Sequence, residues 1–157
     1  MSHVKAKAYL RVGCPYSFKF LLFMAEARLL DQIDVIRCDP RGPNFESIKA
    51  KLAVGLGKPA TFPTVEIEPG RYRSDSDQLI EYYAKKNNVA VSELPALAFY
   101  KDSIFPQVVE LHEMQEDKGR ADLPAQPDVR RIQMPERQGA SKPPSLSIGN
   151  KSEDPEQ

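Results

Sequence analysis

The sequence predicts an α/β domain whose elements follow one another in the order βαβαββα. Apolar residues first alternate with polar ones, as in a strand, and then recur with helical spacing. Further along, Pro69-Gly70 is a turn signal between two short strand-like runs. A chain that runs from one strand through a helix to the next pairs the two strands in parallel by a right-handed crossover. We therefore expect one crossover unit followed by a hairpin.

The first strand is predicted over Val4 to Val12 because its residues alternate strictly. One face takes Val4, Ala6, Ala8, Leu10 and Val12, and the other takes Lys5, Lys7, Tyr9 and Arg11. From Phe18 the period becomes helical, and this helix is expected to end near Leu30-Asp31-Gln32. Its predicted buried face holds Phe18, Leu21, Leu22, Ala25 and Leu29.

The remaining elements of the domain follow from turn and capping signals. A second strand is predicted at Ile33 to Cys38, then a loop over 39–43. The next helix carries Phe45, Ile48 and Leu52 and stops at Gly55-Leu56-Gly57-Lys58-Pro59. Two strands, 64–68 and 71–74, flank the hairpin turn. The last helix begins at the capping residues Ser74-Asp75-Ser76 and runs through Leu79, Ile80 and Tyr83 to Asn87-Asn88.

The composition divides the chain into a domain at 1–90, a helical extension at 91–118 and a tail at 119–157. The extension is expected to form one or two helices, with an apolar stripe interrupted by Pro106. The stripe consists of Leu97, Phe99, Tyr100, Ile104, Phe105, Val108, Leu111 and Met114. From Gly119 onward Pro, Gln, Ser, Gly and charged residues dominate, a composition that cannot offset the entropy of ordering, so the tail is predicted to be disordered.

Charge, apolar stretches and histidine spacing limit the class of protein. The chain has 157 residues with 22 basic and 22 acidic ones, so no overall field recruits nucleic acid or an anionic membrane, and a small-molecule or protein partner is expected. The first residues lack the apolar stretch of a signal peptide, and the longest apolar run, Phe20 to Ala25, is too short to span a bilayer. A cytoplasmic location is therefore predicted. His3 and His112 fit no metal-ligand spacing and are expected to be exposed.

Cys14-Pro15-Tyr16-Ser17, at the start of the first helix, indicates thiol chemistry. Unpaired backbone N–H groups and the helix dipole stabilise a thiolate at a helix start, and proline fits the first helical turn. Because Ser17 stands where a redox motif has its second cysteine, this segment cannot form an internal disulfide. The alternative for Cys14 is a small buried apolar residue. Cys38 is a weak candidate for a second sulfur, since a disulfide needs Cα atoms within about 7 Å.

Three segments carry a family resemblance: Arg11-Val12-Gly13-Cys14-Pro15-Tyr16-Ser17, Phe62-Pro63-Thr64-Val65 and Ser74-Asp75-Ser76-Asp77. In this order they resemble the glutaredoxin active-site segment, a cis-proline segment, and the acidic-Ser motif of glutathione transferases. Over residues 4–88 the chain is thus similar to the thioredoxin-like superfamily, and within it to glutaredoxins and to the N-terminal domains of glutathione transferases. The resemblance implies a thioredoxin-like βαβαββα domain with a mixed four-stranded sheet and a cis bond before Pro63.

The resemblance also implies that glutathione is the bound co-substrate. Cys14 would be catalytic, and Ser17 could hydrogen-bond its thiolate or simply cap the helix. Phe62, next to Pro63, would pair with the ligand through its backbone. Arg11 would meet the glycyl carboxylate, Tyr16 would contact the ligand, and Ser76 and Asp75 would hold the γ-glutamyl end. Lys58 and Arg73 are weaker candidates for charge pairing.

Each of these residues also has a purely structural interpretation. Asp75 and Ser76 could only cap a helix, Arg11 could be a solvated strand end, and Tyr16 an exposed aromatic residue.

The sequence predicts monothiol, glutathione-dependent thiol–disulfide exchange through Cys14, as in glutaredoxins. The first alternative is conjugation of glutathione to electrophiles by a transferase. The short extension scarcely provides the electrophile site, which would be missing or supplied by another subunit. The second alternative is a non-catalytic binding module on the same fold. The Cys-Gly-Phe-Ser run of iron–sulfur-carrying monothiol glutaredoxins is absent.

Overall fold

The computed structural model describes residues 4–118 and confirms the predicted order of elements. The strands are β1 (Ala6–Arg11), β2 (Ile33–Cys38), β3 (Thr64–Glu68) and β4 (Arg71–Ser74). The helices are α1 (Pro15–Glu26), α2 (Phe45–Leu56), α3 (Ser76–Asn87), α4 (Pro95–Phe99) and α5 (Phe105–Lys118). The tail predicted to be disordered, 119–157, lies outside the described residues.

The four strands form one mixed sheet in the order β2-β1-β3-β4. β1 pairs in parallel with β2, so that Arg11 lies beside Cys38, and it pairs antiparallel with β3. β3 and β4 form the predicted hairpin. The carboxyl ends of β1 and β2 therefore meet at one edge of the sheet, which is where the chain turns into α1.

The larger core lies where α1 and α3 pack on one face of the sheet. From α1 it takes Phe20, Phe23 and Met24. The predicted face is wrong at Phe18, which is 49% exposed, and at Ala25, which is exposed, whereas Leu21 and Leu22 pack partly against this core and Leu29 is buried in it. Both sets of residues have helical spacing, because α1 is apolar on most sides. The period alone could not tell which side meets the sheet.

A smaller core on the opposite face of the sheet lies beneath α2. Tyr9 packs there with Phe45 and Leu52, on the face of β1 opposite Ala6, Ala8 and Leu10, as predicted. Helices cover both faces of this sheet, so the second face is buried at Tyr9 as well. Gly55 lets α2 come this close, since a Cβ there would lie 2.4 Å from the ring of Tyr72.

The extension packs on the domain as a nearly continuous helical run. Leu94 and Leu97 belong to the larger core. The carboxylate of Glu26, at the end of α1, accepts hydrogen bonds from the backbone N–H groups of Ala96 and Leu97 at 2.8 Å each. It thereby satisfies two N–H groups that the start of α4 leaves unpaired.

A π-helical turn at Tyr100–Ile104 joins α4 to α5 just before Pro106. The N–H of Phe105 bonds to the carbonyl of Tyr100. Proline lacks an N–H and its ring crowds the preceding turn, so a locally wider turn lets the helical run continue across it. Among the helices at 4–118, none combines the length and the apolar character needed to span a membrane.

Candidate active site

Cys14 occupies the N-cap position of α1, at the edge of the sheet where β1 ends. Gly13, with φ at 77°, turns the chain into this position, and the carbonyl of Cys14 accepts from the N–H of Phe18 at 3.1 Å. The Cys14 thiol donates to the carbonyl oxygen of Phe62 at 3.8 Å. The Phe62–Pro63 peptide bond is cis, as the resemblance implies. The two segments that are distant in sequence thus meet at the sulfur atom.

A cavity of about 390 Å³, here called the polar cavity, opens beside Cys14. It is lined by Arg11, Cys14, Tyr16, Phe45, Lys49, Ala60, Thr61, Phe62, His112 and Glu116. The structure thus brings together Arg11, Cys14, Tyr16 and Phe62, four of the residues that the sequence singled out. Lys49, His112 and Glu116 were missed. The expected exposure of His112 is wrong, since its side chain is only 14% exposed and packs 3.5 Å from Glu116.

The nitrogen atoms of the Arg11 guanidinium group differ in their hydrogen bonding within residues 4–118. Its Nη1 donates to Oε1 of Glu116 at 2.6 Å. Its Nε is buried and has no hydrogen-bond partner among residues 4–118. A buried donor without a partner is unfavourable unless a ligand or water supplies the acceptor. Arg11 is therefore not a solvated strand end but a cation held at the wall of the polar cavity.

Ser17 is buried and accepts a hydrogen bond from the backbone N–H of Arg11 at 3.1 Å. This bond ties the first turn of α1 to the end of β1. The hydroxyl oxygen thus serves the geometry of the strand-to-helix turn that carries Cys14.

Asp75 and Ser76 lie at the start of α3 and are not among the residues that line the polar cavity. The carboxylate of Asp75 accepts from the N–H groups of Asp77 and Gln78 at 3.0 and 3.1 Å, so it caps its own helix. Ser76 is buried. Lys58 is also absent from the cavity wall, and Arg73 stacks over the ring of Tyr82.

Tyr16 and Lys19 connect α1 to the extension. The Tyr16 ring meets Phe105 edge to face at 5.3 Å. Lys19 is buried, pairs with Asp77 at 2.9 Å and lies 4.4 Å over the ring of Phe105. Burial, and then the negative charges of Glu113 and Cys14, raise the pKa of Tyr16. Its phenol therefore stays protonated near neutral pH and can act as a donor.

A second, larger concavity of about 710 Å³ also has Cys14 in its wall and is here called the apolar groove. Its wall is formed by Leu10, Arg11, Val12, Gly13, Cys14, Pro15, Ser17, Phe18, Leu21, Val35, Arg37, Tyr100, Ile104 and Val108. The hydroxyl of Tyr100 donates to the carbonyl of Pro15 at 2.8 Å and so fixes the extension to the first turn of α1. The extension therefore supplies one wall of this groove.

Cys38 lies in the smaller core, and both cysteines are free thiols. Burial raises the pKa of the Cys38 thiol, which disfavours its thiolate form. In the described part of the chain no three His, Cys, Asp or Glu side chains cluster as a metal site would require.

Three comparisons with known proteins found a similar solved structure. No family model matches the chain, and no curated protein matches it. A glutathione transferase homologue from Sulfitobacter, crystallised with bound glutathione, is similar in structure, with 18% sequence identity and a TM-score of 0.43. The match covers 78% of this chain and 59% of that one, so the chain spans less than two thirds of its length. The order of elements and the mixed sheet described above are those of the thioredoxin-like fold.

Proposed function

We propose that the chain binds glutathione in the polar cavity and exchanges thiols and disulfides through Cys14 alone. The observation that carries this proposal is the position of the Cys14 sulfur. It lies at the N-terminus of a 12-residue helix, on the wall of a cavity, and beside the carbonyl of Phe62. The thiolate is the nucleophile in disulfide exchange, and the first turn of a helix generally leaves backbone N–H groups without intrahelical partners beside such a sulfur.

The cavity wall offers a partner for several parts of glutathione. The backbone of Phe62 faces the sulfur of Cys14 and would pair with the peptide backbone of the ligand. Arg11, whose buried Nε has no hydrogen-bond partner within residues 4–118, and Lys49 would meet a carboxylate, and the Tyr16 phenol would donate a hydrogen bond. Asp75 already caps α3, so the binding proposal rests on Arg11, Tyr16 and Phe62 more than on Asp75 and Ser76.

The exchange needs two displacement steps. The Cys14 thiolate attacks the glutathione sulfur of a mixed disulfide, a new disulfide forms between Cys14 and glutathione, and the substrate leaves as a thiolate that takes a proton from water. A second glutathione thiolate then attacks the glutathione sulfur of that adduct. Oxidised glutathione leaves, and the Cys14 thiolate is regenerated. Electrons balance, because one disulfide is consumed and one is formed in each step.

Intact mass after treatment with oxidised glutathione tests the proposal. The wild type and Cys38→Ala are expected to gain one glutathionyl group each under native conditions, whereas Cys14→Ser gains none. Cys38→Ala is the matched control, because it removes the other thiol and leaves the site unchanged. Absence of an adduct on folded wild-type protein would contradict the proposal and favour a non-catalytic binding module.

Conjugation of glutathione to an electrophile is the second candidate, and the apolar groove favours it. The groove shares Cys14 with the polar cavity and is lined by Phe18, Leu21 and Ile104. An apolar electrophile there would lie near a sulfur bound against Cys14. Turnover of a chloro-aromatic compound with glutathione, lost in Ile104→Lys but retained in the surface control Val54→Lys, would support conjugation. Disulfide exchange without any conjugation would exclude it.

A further inference from the structure

The polar cavity contains a carboxylate of its own, bonded to the guanidinium group proposed above to meet a ligand carboxylate. Glu116 comes from α5, 105 positions along the chain from Arg11, and its Oε1 lies 2.6 Å from Nη1 of Arg11. Both residues line the cavity that contains Cys14. The extension therefore changes the charge of the cavity as well as its shape.

The charges on the cavity wall are unequal in number and position. Arg11 and Lys49 are cationic, His112 lies 3.5 Å from Glu116, and Glu116 is the one carboxylate in the described wall. A bond between a guanidinium and a carboxylate is among the stronger hydrogen bonds, and it offsets the charge that Arg11 presents to a ligand. A carboxylate that reached Arg11 at Nε would also lie close to Glu116, and two like charges at short distance repel.

We propose that Glu116 is a specificity-determining residue that weakens the binding of a carboxylate, relative to a neutral group, at the Arg11 position of the polar cavity. For glutathione this inference rests on the proposed function, and it predicts that Glu116 reduces the advantage of the free glycyl carboxylate over its amide or ester. The side chain of Glu116 is 54% exposed, so the discrimination is moderate. The expected factor is about 5-fold, the upper range for an exposed ion pair.

Two alkylating reagents that differ in charge but react at the same kind of carbon test the inference without glutathione. Iodoacetate carries a carboxylate and iodoacetamide a neutral amide. The rate of Cys14 alkylation by each is measured on the full chain by peptide mass mapping, in the wild type and in Glu116→Gln. We expect the ratio of the iodoacetate rate to the iodoacetamide rate to rise about 5-fold in Glu116→Gln. Glu110→Gln removes an exposed carboxylate of α5 outside the cavity wall and should leave the ratio unchanged.

A second arm uses oxidised glutathione and its diethyl ester at the glycyl carboxylates. Glu116→Gln should speed adduct formation with the free acid relative to the ester by a similar factor. An unchanged ratio in both arms, with Cys14 reacting in each, would overturn the inference and leave the proposed function intact. A Cys14 that reacts with the alkylating reagents but never takes a glutathionyl group would overturn the proposed function, while the reagent ratio would still decide the role of Glu116. A Cys14 inert to every reagent would overturn both.

Discussion

Cys14 follows β1 and Cys38 ends β2, so both lie at the same end of the sheet. Both are buried, yet only Cys14 lies at a helix start and on the wall of a cavity. Cys14 caps α1, faces the carbonyl of Phe62 and lines both concavities. Cys38 is 1% exposed, packs against Tyr9 and donates to the carbonyl of Ile36 at 3.6 Å.

The comparison shows that the connection after each strand determines the environment of the cysteine at that end of the sheet. After β1 the chain turns through Gly13 directly into a helix, so Cys14 lies at the helix start. After β2 a loop follows, and Cys38 still belongs to the strand, with its side chain beneath α2. A cysteine at the carboxyl end of a strand is therefore not expected to be a reactive thiol unless a helix also begins there.

Native alkylation should separate the two cysteines most strongly. Iodoacetamide at neutral pH is expected to label Cys14 at least about 100-fold faster than Cys38, since Cys38 must await local opening and burial raises its pKa. Mass mapping of labelled peptides over time measures both rates. In denaturant the difference should vanish. Equal labelling of the folded protein would show that the contrast in environment has no chemical consequence.

Ser17→Cys should provide a second thiol close enough to Cys14 to form a disulfide, which Cys38 does not. Position 17 is on the first turn of α1, adjacent to the N-cap, and its side chain is held at the end of β1 by the Arg11 N–H. After treatment with oxidised glutathione, most of the adduct on this variant should be discharged as a disulfide between positions 14 and 17. Non-reducing peptide maps identify the linkage. A stable adduct on the variant, as on the wild type, would refute this.

Substitutions of Cys38 should affect stability but not the adduct. Cys38→Ser places a hydroxyl among apolar side chains and is expected to lower the free energy of unfolding by about 1–2 kcal/mol. Cys38→Ala, the control without a polar group, should lower it less. Urea denaturation measures both, and the mass assay should find the same glutathionyl adduct on each. Loss of the adduct would make Cys38 part of the site.

Tyr100→Phe, which removes a hydrogen bond next to Cys14, should produce the smallest change in the free energy of unfolding. The buried hydroxyl donates to the Pro15 carbonyl at 2.8 Å, and burial together with Cys14 raises the pKa of Tyr100, so the donor persists well above neutral pH. Its loss is expected to lower the free energy of unfolding by about 1 kcal/mol. Tyr82→Phe, at a half-buried ring, is the control in the same urea titration. If both variants lowered the free energy of unfolding equally, the Tyr100–Pro15 hydrogen bond would have no specific stabilising effect.

The order of elements was predictable because it depends on local period and on turn residues such as Pro69-Gly70. The buried face of α1 was not, since Phe18 and Phe20 both belong to rows with helical spacing and only the position of the sheet chooses between them. The alternation placed Tyr9 on the correct face of β1 but gave no sign that this face is covered. Its strand is covered on both faces, and the sequence of one strand does not reveal the helix that will cover it.

The candidate active site was predictable only in the parts that a single continuous segment of the chain forms. The position of Cys14 at the start of α1 followed from neighbouring residues. The pair of Arg11 with Glu116 joins residues 105 positions apart, and no local pattern signals such a contact. The capping of α3 by Asp75 was one of two interpretations that the sequence left open, and the hydrogen bonds of the Asp75 carboxylate show this capping.

Glu26 has a consequence for how the chain can be divided. Leu94 precedes α4 and provides no side-chain cap, so the start of that helix depends on a carboxylate 70 positions earlier. Leu94 and Leu97 fill part of the same core as α1 and α3. A fragment that begins after Asn88 would lose its cap and its apolar partners together. We therefore expect residues 4–118 to unfold as one cooperative unit on heating, and the extension not to fold as an independent module in another protein.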